Sequence, residues 1–166
     1  MTRGRMLGSR IPNAKGSLDF VGLNYYTHFI SGLFMPTSTE ELAFAKREHE
    51  ITTEFGYPMY AEGMKRAIDF VSELGVPIEI TENGVADSTD SLRPMHLMRH
   101  LWVISEAIKD GRDVVSYHHW SLMDNFEWAE GYKMRFGLYH VDFETQERTL
   151  RPSGEIFRDV IRSSGD

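Results

Sequence analysis

The feature that most restricts the fold of this chain is a repeated alternation of short apolar runs with longer amphipathic segments. Three apolar runs, at residues 20–26, 77–82 and 114–120, have the length and composition of strands. Between them, residues 60–74 and 97–108 carry apolar side chains every three or four positions, which is the period of a helix. This order predicts an α/β fold with parallel strands joined by right-handed crossovers.

Glycines and a serine mark where the predicted helices end and begin. Gly75 and Gly111 follow the two apolar stripes, at the positions where helices commonly terminate. Ser153 is the expected N-cap of a last helix near the C-terminus. We also expect a hairpin between residues 137–143 and 148–150, and a small helix at residues 40–48 in the long connection after the first strand.

Polar and aromatic side chains occur at the carboxyl ends of all three predicted strands. Asn24 and Tyr26 end the first strand, Glu82 ends the second, and Trp120 ends the third. In parallel α/β sheets and barrels, ligands bind at this edge. The sequence therefore predicts one site to which three strands contribute.

Glu82 is the first candidate for chemistry. The period of two along a strand places it on the same face as Ile78 and Ile80, just before an Asn-Gly turn. The alternative is an ordinary solvated glutamate at a strand end, and the six residues of this strand do not decide between the two.

The segment from Trp120 to Trp128 combines two tryptophans, a phenylalanine and two acidic residues. Aromatic rings stack on the weakly apolar faces of sugars, and carboxylates accept hydrogen bonds from sugar hydroxyls. The composition thus favours a carbohydrate site, while an aromatic loop packed into the core remains the alternative.

Composition excludes several other classes of function. The 166 residues contain no cysteine, which rules out disulfide scaffolds and thiol catalysis and is compatible with a cytoplasmic protein. The net charge of −7 disfavours nucleic acids and anionic membranes as partners, and no apolar run is long enough to cross a membrane. We expect one domain over residues 1–166, with the basic residues 1–16 as a loose leader.

Several motifs together resemble the C-terminal part of a family 1 glycoside hydrolase, the family of β-glucosidases and β-galactosidases. They are Ile-Thr-Glu-Asn-Gly at 80–84, Gly-Leu-Asn-Tyr-Tyr at 22–26, the segment 120–128, and the segments 135–138 and 141–143. The resemblance extends over residues 16–161. It implies a (β/α)8 TIM barrel that hydrolyses β-glycosides with retention of configuration, of which this chain holds about the last three strand–helix units.

The resemblance also implies roles for individual residues. Glu82 occupies the place of the catalytic nucleophile, and Tyr26 that of the tyrosine that donates a hydrogen bond to it. The remaining matches line the sugar subsite: Asn24, the ring platform Trp120, the hydroxyl-binding Glu127 with its neighbour Trp128, and Phe136. Family members that act on 6-phosphorylated sugars have serine at the place of Glu127, so the expected substrate is a neutral β-glucoside or β-galactoside.

One half of the expected chemistry is missing from the sequence. The family's acid/base glutamate lies in an Asn-Glu-Pro motif, and this chain contains no such motif. A full barrel also needs about 250 residues. We therefore expect a truncated or split enzyme that is inactive alone and that pairs with an N-terminal half-barrel or with itself. The alternatives are a fragment that only binds sugar weakly and a structural module.

No cofactor is expected, and His96 and His100, four residues apart on a helix, lack a third metal ligand.

Overall fold

The computed structural model of the chain describes residues 16–29 and 48–164. The predicted small helix at residues 40–48 lies almost entirely outside them, as does the predicted leader. The described residues form five strands and three α-helices: β1 (Val21–Asn24), α1 (Glu62–Val71), β2 (Ile78–Asn83), α2 (Arg93–Lys109), β3 (Val114–His119), β4 (Tyr139–Val141), β5 (Arg148–Leu150) and α3 (Pro152–Ser163).

Strands β1, β2 and β3 form one sheet in that order, and both pairs are parallel. This confirms the parallel arrangement predicted from the alternation of strands and helices. Strands β4 and β5 pair antiparallel in a separate two-stranded hairpin, as the sequence also predicts. All three strands of the parallel sheet therefore have their carboxyl ends at the same edge.

The hydrophobic core lies between the sheet and helices α1 and α2. Met64 and Ile68 of α1, Ile78 and Ile80 of β2, and Ile104 of α2 are buried in one cluster. Burying each of these side chains stabilises the fold by roughly 1.5–3 kcal/mol. The amphipathic stripes predicted from the sequence are thus the faces that cover the sheet.

The helix ends agree with the sequence in two places and differ in one. Gly75 and Gly111 both adopt the left-handed conformation, with φ of 70° and 83°, just after α1 with its short 3₁₀ extension and just after α2. Ser153, however, is not an N-cap. Helix α3 begins at Pro152 after Arg151, and the buried Ser153 hydroxyl donates to Asp90 at 2.6 Å. The start signal of this helix is therefore the proline at its first position and not the serine.

The start of α2 is fixed by a buried carboxylate. Asp87 accepts hydrogen bonds from the backbone N–H groups of Leu92 at 2.7 Å and Arg93 at 2.9 Å. The fully buried Arg93 guanidinium pairs with Asp90, which in turn holds the start of α3 through Ser153. The segment after β2 therefore holds the starts of the last two helices together.

None of the described helices is long and apolar enough to span a bilayer.

Candidate active site

A pocket of about 160 Å³ lies at the carboxyl ends of the parallel strands. It contains six of the seven side chains that the sequence singles out. Two aromatic residues that the sequence analysis does not name complete its wall. The lining residues are Tyr26, Phe55, Tyr57, Glu82, Trp120, Glu127, Trp128 and Phe136.

A hydrogen bond in the pocket joins the ends of β1 and β2. The Tyr26 hydroxyl donates a hydrogen bond to Glu82 Oε2 at 2.8 Å. Burial, the hydrogen bond to Glu82 and the nearby carboxylates of Glu82 and Glu127 all raise the pKa of Tyr26 above its ordinary value. Tyr26 therefore stays protonated at any physiological pH and acts toward Glu82 only as a donor.

Glu82 does not share a face with Ile78 and Ile80, contrary to the strand period. The two isoleucines lie in the hydrophobic core, whereas Glu82 lines the pocket. The pairing of β2 with β3 shifts register between Ile80 and Asn83, and this irregularity interrupts the alternation of faces. The carboxylate is thereby turned toward the pocket at the point where the strand ends.

The aromatic segment after β3 forms the opposite wall. Trp120 Nε1 donates to Glu127 Oε2 at 3.4 Å, so the indole and the carboxylate are held beside each other. A tight loop presents the next residue, because Glu127 N–H donates to the Gly131 carbonyl at 2.7 Å. Trp128 has a φ of 44° and is 80% exposed although it lines the pocket. This wall thus offers aromatic faces and a carboxylate, the two groups that suit a sugar ring and its hydroxyls.

A buried ion pair anchors this wall to the hairpin. Arg151 donates to both carboxylate oxygens of Asp124, at 2.9 and 3.0 Å, and the same carboxylate accepts from the backbone N–H groups of Gly137 and Val141. Although burial opposes ionisation, the hydrogen bonds from Arg151 and Gly137 hold the pKa of Asp124 below its ordinary value. Phe136, which precedes Gly137, is fixed in the pocket by this arrangement.

Asn24 is the one predicted site residue that does not line this pocket. Its Oδ1 accepts a hydrogen bond from Thr81 Oγ1 at 2.6 Å. It faces a second cavity of about 220 Å³, which it lines together with Thr27 and Phe29. Tyr26 and Tyr57 line both cavities, so the two adjoin each other.

Phe55 and Tyr57 were missed because they lie in the connection between β1 and α1, where no periodicity marks a structural element. The segment shows only turn signals, including Gly56 with a φ of 86°. The one sequence signal that could indicate Phe55 and Tyr57 is the arrangement of two aromatic residues around a glycine in a loop.

His96 and His100, which have the spacing of metal ligands, and the nearby Asp87 and Asp90 all have structural surroundings. The rings of His96 and His100 stack with centroids 4.0 Å apart inside the core, and His100 Nδ1 donates to the His96 carbonyl at 2.8 Å. Asp87 and Asp90 hold the starts of α2 and α3. Within the described residues, no group of three or more histidines and carboxylates has a geometry suited to a metal ion.

Comparison with known proteins identifies relatives over nearly the whole chain. The model of the glycosyl hydrolase family 1 matches residues 9–166. A β-galactosidase of Pyrococcus woesei is 37% identical over 93% of this chain and 33% of its own length. The β-glucosidase A of Thermotoga maritima is 37% identical over 89% of this chain and 35% of its own.

The solved structures agree with the sequence comparison. The hyperthermophilic β-glucosidase of Pyrococcus furiosus superposes with a TM-score of 0.80 at 39% identity, over 90% of this chain and 34% of its own. The chain thus spans about a third of the length of the relatives it matches.

Proposed function

The chain belongs to glycosyl hydrolase family 1, and we propose that it carries the nucleophile side of a retaining β-glycosidase site. The observation that carries this proposal is the 2.8 Å hydrogen bond from Tyr26 to Glu82 in a pocket walled by Trp120 and Glu127. The named relatives are a β-galactosidase and a β-glucosidase. The names of these whole proteins are the basis for proposing a glycosidase activity for this chain.

In the proposed mechanism, Glu82 attacks the anomeric carbon of a β-glycoside. A carboxylate oxygen forms the new C–O bond while the glycosidic oxygen leaves with the electron pair of the bond that breaks. The Tyr26 hydrogen bond holds the carboxylate in the orientation for attack. Water then attacks the anomeric carbon, the bond to Glu82 breaks with its electron pair returning to the carboxylate, and the water's proton passes to the acid/base group that the missing half would supply, which releases the sugar with its original configuration.

The leaving oxygen needs a proton that no glutamate assigned in this chain supplies. The family's acid/base residue lies in an Asn-Glu-Pro motif that this sequence lacks. General acid catalysis contributes roughly 10²–10⁴ to the rate. We therefore propose that the chain is close to inactive by itself.

The substrate that fits the pocket is a neutral β-glucoside or β-galactoside. Of the eight lining residues, two are carboxylates and none is cationic. A sugar phosphate brought beside Glu127 would meet like charge with no cation to offset it. The aromatic walls and the Glu127 carboxylate suit a ring with free hydroxyls.

We further propose that the sheet corresponds to about the last three units of a (β/α)8 barrel. Either an N-terminal half-barrel or further copies of this chain would complete the barrel. The pocket volume of about 160 Å³ is below the roughly 300 Å³ at the lower end of ligand sites. The three described parallel strands leave β1 and β3 each with one edge unpaired in this sheet. Both features fit a site with one side in place.

The cytoplasm, suggested by the lack of cysteine, is the compartment we propose.

The test is hydrolysis of an aryl β-glucoside by three samples: the chain alone, the chain with the N-terminal two-thirds of the Pyrococcus woesei relative, and the same pair with Glu82→Gln. We expect turnover only in the second sample. Turnover by the pair that survives Glu82→Gln would refute the assignment of Glu82, and turnover by the chain alone would refute the claim that the other half of the site is needed. No turnover in any sample, with both parts shown to associate, would refute the split-site proposal.

The second candidate function is sugar binding without catalysis. The exposed Trp128 beside Glu127 favours it, because these groups contact a sugar regardless of whether an acid/base residue is present. Under this candidate, Glu82→Gln leaves the affinity for glucose unchanged and no complementing chain restores turnover. A purely structural module, the third alternative, predicts no glucose binding at all.

A further inference from the structure

A fully buried amide lies next to the proposed nucleophile. Asn83 is 0% exposed, although its neighbour Glu82 lines the pocket. Burying an amide is favourable only if its donors and acceptors find partners. The partners of Asn83 therefore indicate what the residue is for.

Both ends of the Asn83 side chain bind neighbouring strands. Nδ2 donates to the Tyr25 carbonyl at 2.7 Å, and Oδ1 accepts from the Tyr117 hydroxyl at 3.0 Å. Because a carbonyl can only accept, the first contact fixes which end of the amide is nitrogen. The Asn83 backbone carbonyl also accepts from Trp120 N–H at 2.9 Å. One residue thus joins the ends of β1, β2 and β3.

These contacts occur where the regular strand pairing fails. The β1–β2 register shifts between Leu23 and Asn24, and the β2–β3 register shifts between Ile80 and Asn83. Beyond these shifts the strand ends are joined by backbone hydrogen bonds from Tyr25 N–H to the Glu82 carbonyl and from Trp120 N–H to the Asn83 carbonyl, both at 2.9 Å. The Asn83 side chain adds two further cross-links at the same level.

Each of the three cross-links leads to a residue of the site. The Tyr25 carbonyl belongs to the peptide bond that carries the Tyr26 nitrogen, so the amide fixes the backbone from which Tyr26 reaches Glu82. The contact with the Trp120 N–H fixes the backbone of the aromatic platform. Tyr117 lies in β3, three residues before Trp120, which directly follows that strand, and the Tyr117 hydroxyl also lies 3.3 Å from His119 Nδ1.

We propose that Asn83 is a positioning residue: its buried amide aligns Tyr26 with the Glu82 carboxylate, while its backbone carbonyl holds Trp120 beside them. The inference rests on the proposed function of Glu82, but it concerns how the site is held rather than which reaction it performs. Asn83 itself contacts no substrate, because its side chain lies in the core behind the pocket.

The test compares Asn83→Leu with Ser153→Ala in the full chain. Leucine has the same branched shape and the same number of side-chain heavy atoms as asparagine, with larger methyl groups, and it removes both side-chain hydrogen bonds. Ser153→Ala removes an equally buried hydroxyl that bonds Asp90 and takes part in no contact of the site. Tyr117→Phe, which loses one hydroxyl, replaces Asn83→Leu if the leucine variant does not fold.

Two measurements decide the outcome. The first is a crystal structure of each variant, in which we expect the Tyr26 hydroxyl and Glu82 Oε2 to separate beyond hydrogen-bond distance in Asn83→Leu only. The second is the affinity for isofagomine, an iminosugar with a protonated nitrogen in place of the anomeric carbon, compared with glucose. We expect Asn83→Leu to weaken isofagomine binding at least tenfold more than glucose binding, since a displaced Glu82 pairs poorly with the cation.

The proposal is overturned if the Tyr26–Glu82 contact persists in the leucine variant, or if Ser153→Ala changes the two affinities in the same way. If the unmodified chain binds neither sugar, the proposed function fails, and the crystal structures alone still decide the role of Asn83.

Discussion

Mild acid should destabilise this chain because two buried histidines, His96 and His100, and the partly buried His119 are held in their neutral form. Burial lowers the pKa of His100 to about 4 and of His119 to about 3, and it lowers that of His96 well below the ordinary value. The positive charge of Arg93 adds to the effect on His96 and His119. Neither ring nitrogen of His96 has a hydrogen-bond partner within the described residues, so a proton there would gain no compensating contact.

The sign and the size follow from the proton balance. An unfolded histidine titrates near pH 6.5, so below that pH the unfolded chain binds three protons that the folded chain does not bind. Stability is therefore fully present above about pH 7 and is lost as the pH falls through 6.5. At pH 5.5 each histidine contributes about 1.4 kcal/mol of destabilisation, or about 4 kcal/mol for the three. This is a large part of the 5–15 kcal/mol typical of a folded domain.

The assay is urea unfolding of the chain followed by circular dichroism at pH 7.5, 6.5 and 5.5. With a slope of about 2 kcal/mol per molar urea, the midpoint should fall by about 2 M between pH 7.5 and 5.5. His100→Leu should remove about a third of this dependence, whereas His118→Gln, at the exposed neighbour of His119, should leave it intact. The buried carboxyls with lowered pKa, Asp87 and Asp124, titrate below this range. A midpoint that does not change with pH would refute the account of the neutral cluster.

Three further outcomes are expected. Glu127→Ser should weaken glucose binding by about ten- to hundredfold, as measured by calorimetry, because a charge-assisted hydrogen bond contributes about 1.5–3 kcal/mol; equal affinities would remove Glu127 from the sugar site. Tyr26→Phe should slow covalent modification of Glu82 by an activated fluoroglycoside by about tenfold or more in the complemented chain, since it removes the 2.8 Å hydrogen bond; an unchanged rate would mean that the contact does not support the nucleophile. Gly84→Ala should cost about 2–4 kcal/mol in urea unfolding, because a Cβ there would overlap the Trp120 carbonyl oxygen; a cost below 1 kcal/mol would show that the strand ends are less tightly apposed.

The sequence predicts the parts of this fold that depend on periodicity. The stripes that become α1 and α2 and the three parallel strands follow from the spacing of apolar residues such as Met64, Ile68 and Ile80. The helix ends at Gly75 and Gly111 are equally predictable, since few residues other than glycine adopt the left-handed conformation without strain.

Irregular features were not accessible in this way. The period of two fails at Glu82 because a register shift depends on the pairing of two strands, and no single strand encodes it. Phe55 and Tyr57 reach the pocket from a loop, and Asn24 turns toward Thr81, through tertiary contacts without a local signature. The start of α3 differs from the prediction. Ser153 and Pro152 both carry helix-start signals in the sequence, and only burial decides between them.

The central claim is that Glu82 is the nucleophile of a glycosidase site whose acid/base side lies outside this sequence. It is tested most directly by exposing the chain, with and without the N-terminal two-thirds of the Pyrococcus woesei relative, to 2,4-dinitrophenyl 2-deoxy-2-fluoro-β-D-glucoside. A leaving group of such low basicity needs little protonation, so the label reports attack at the anomeric carbon. Mass spectrometry should find the fluoroglycosyl group on Glu82 in the complemented sample. Modification of Glu79 or Glu127 instead, or an unmodified Glu82 in an associated complex, would contradict the account.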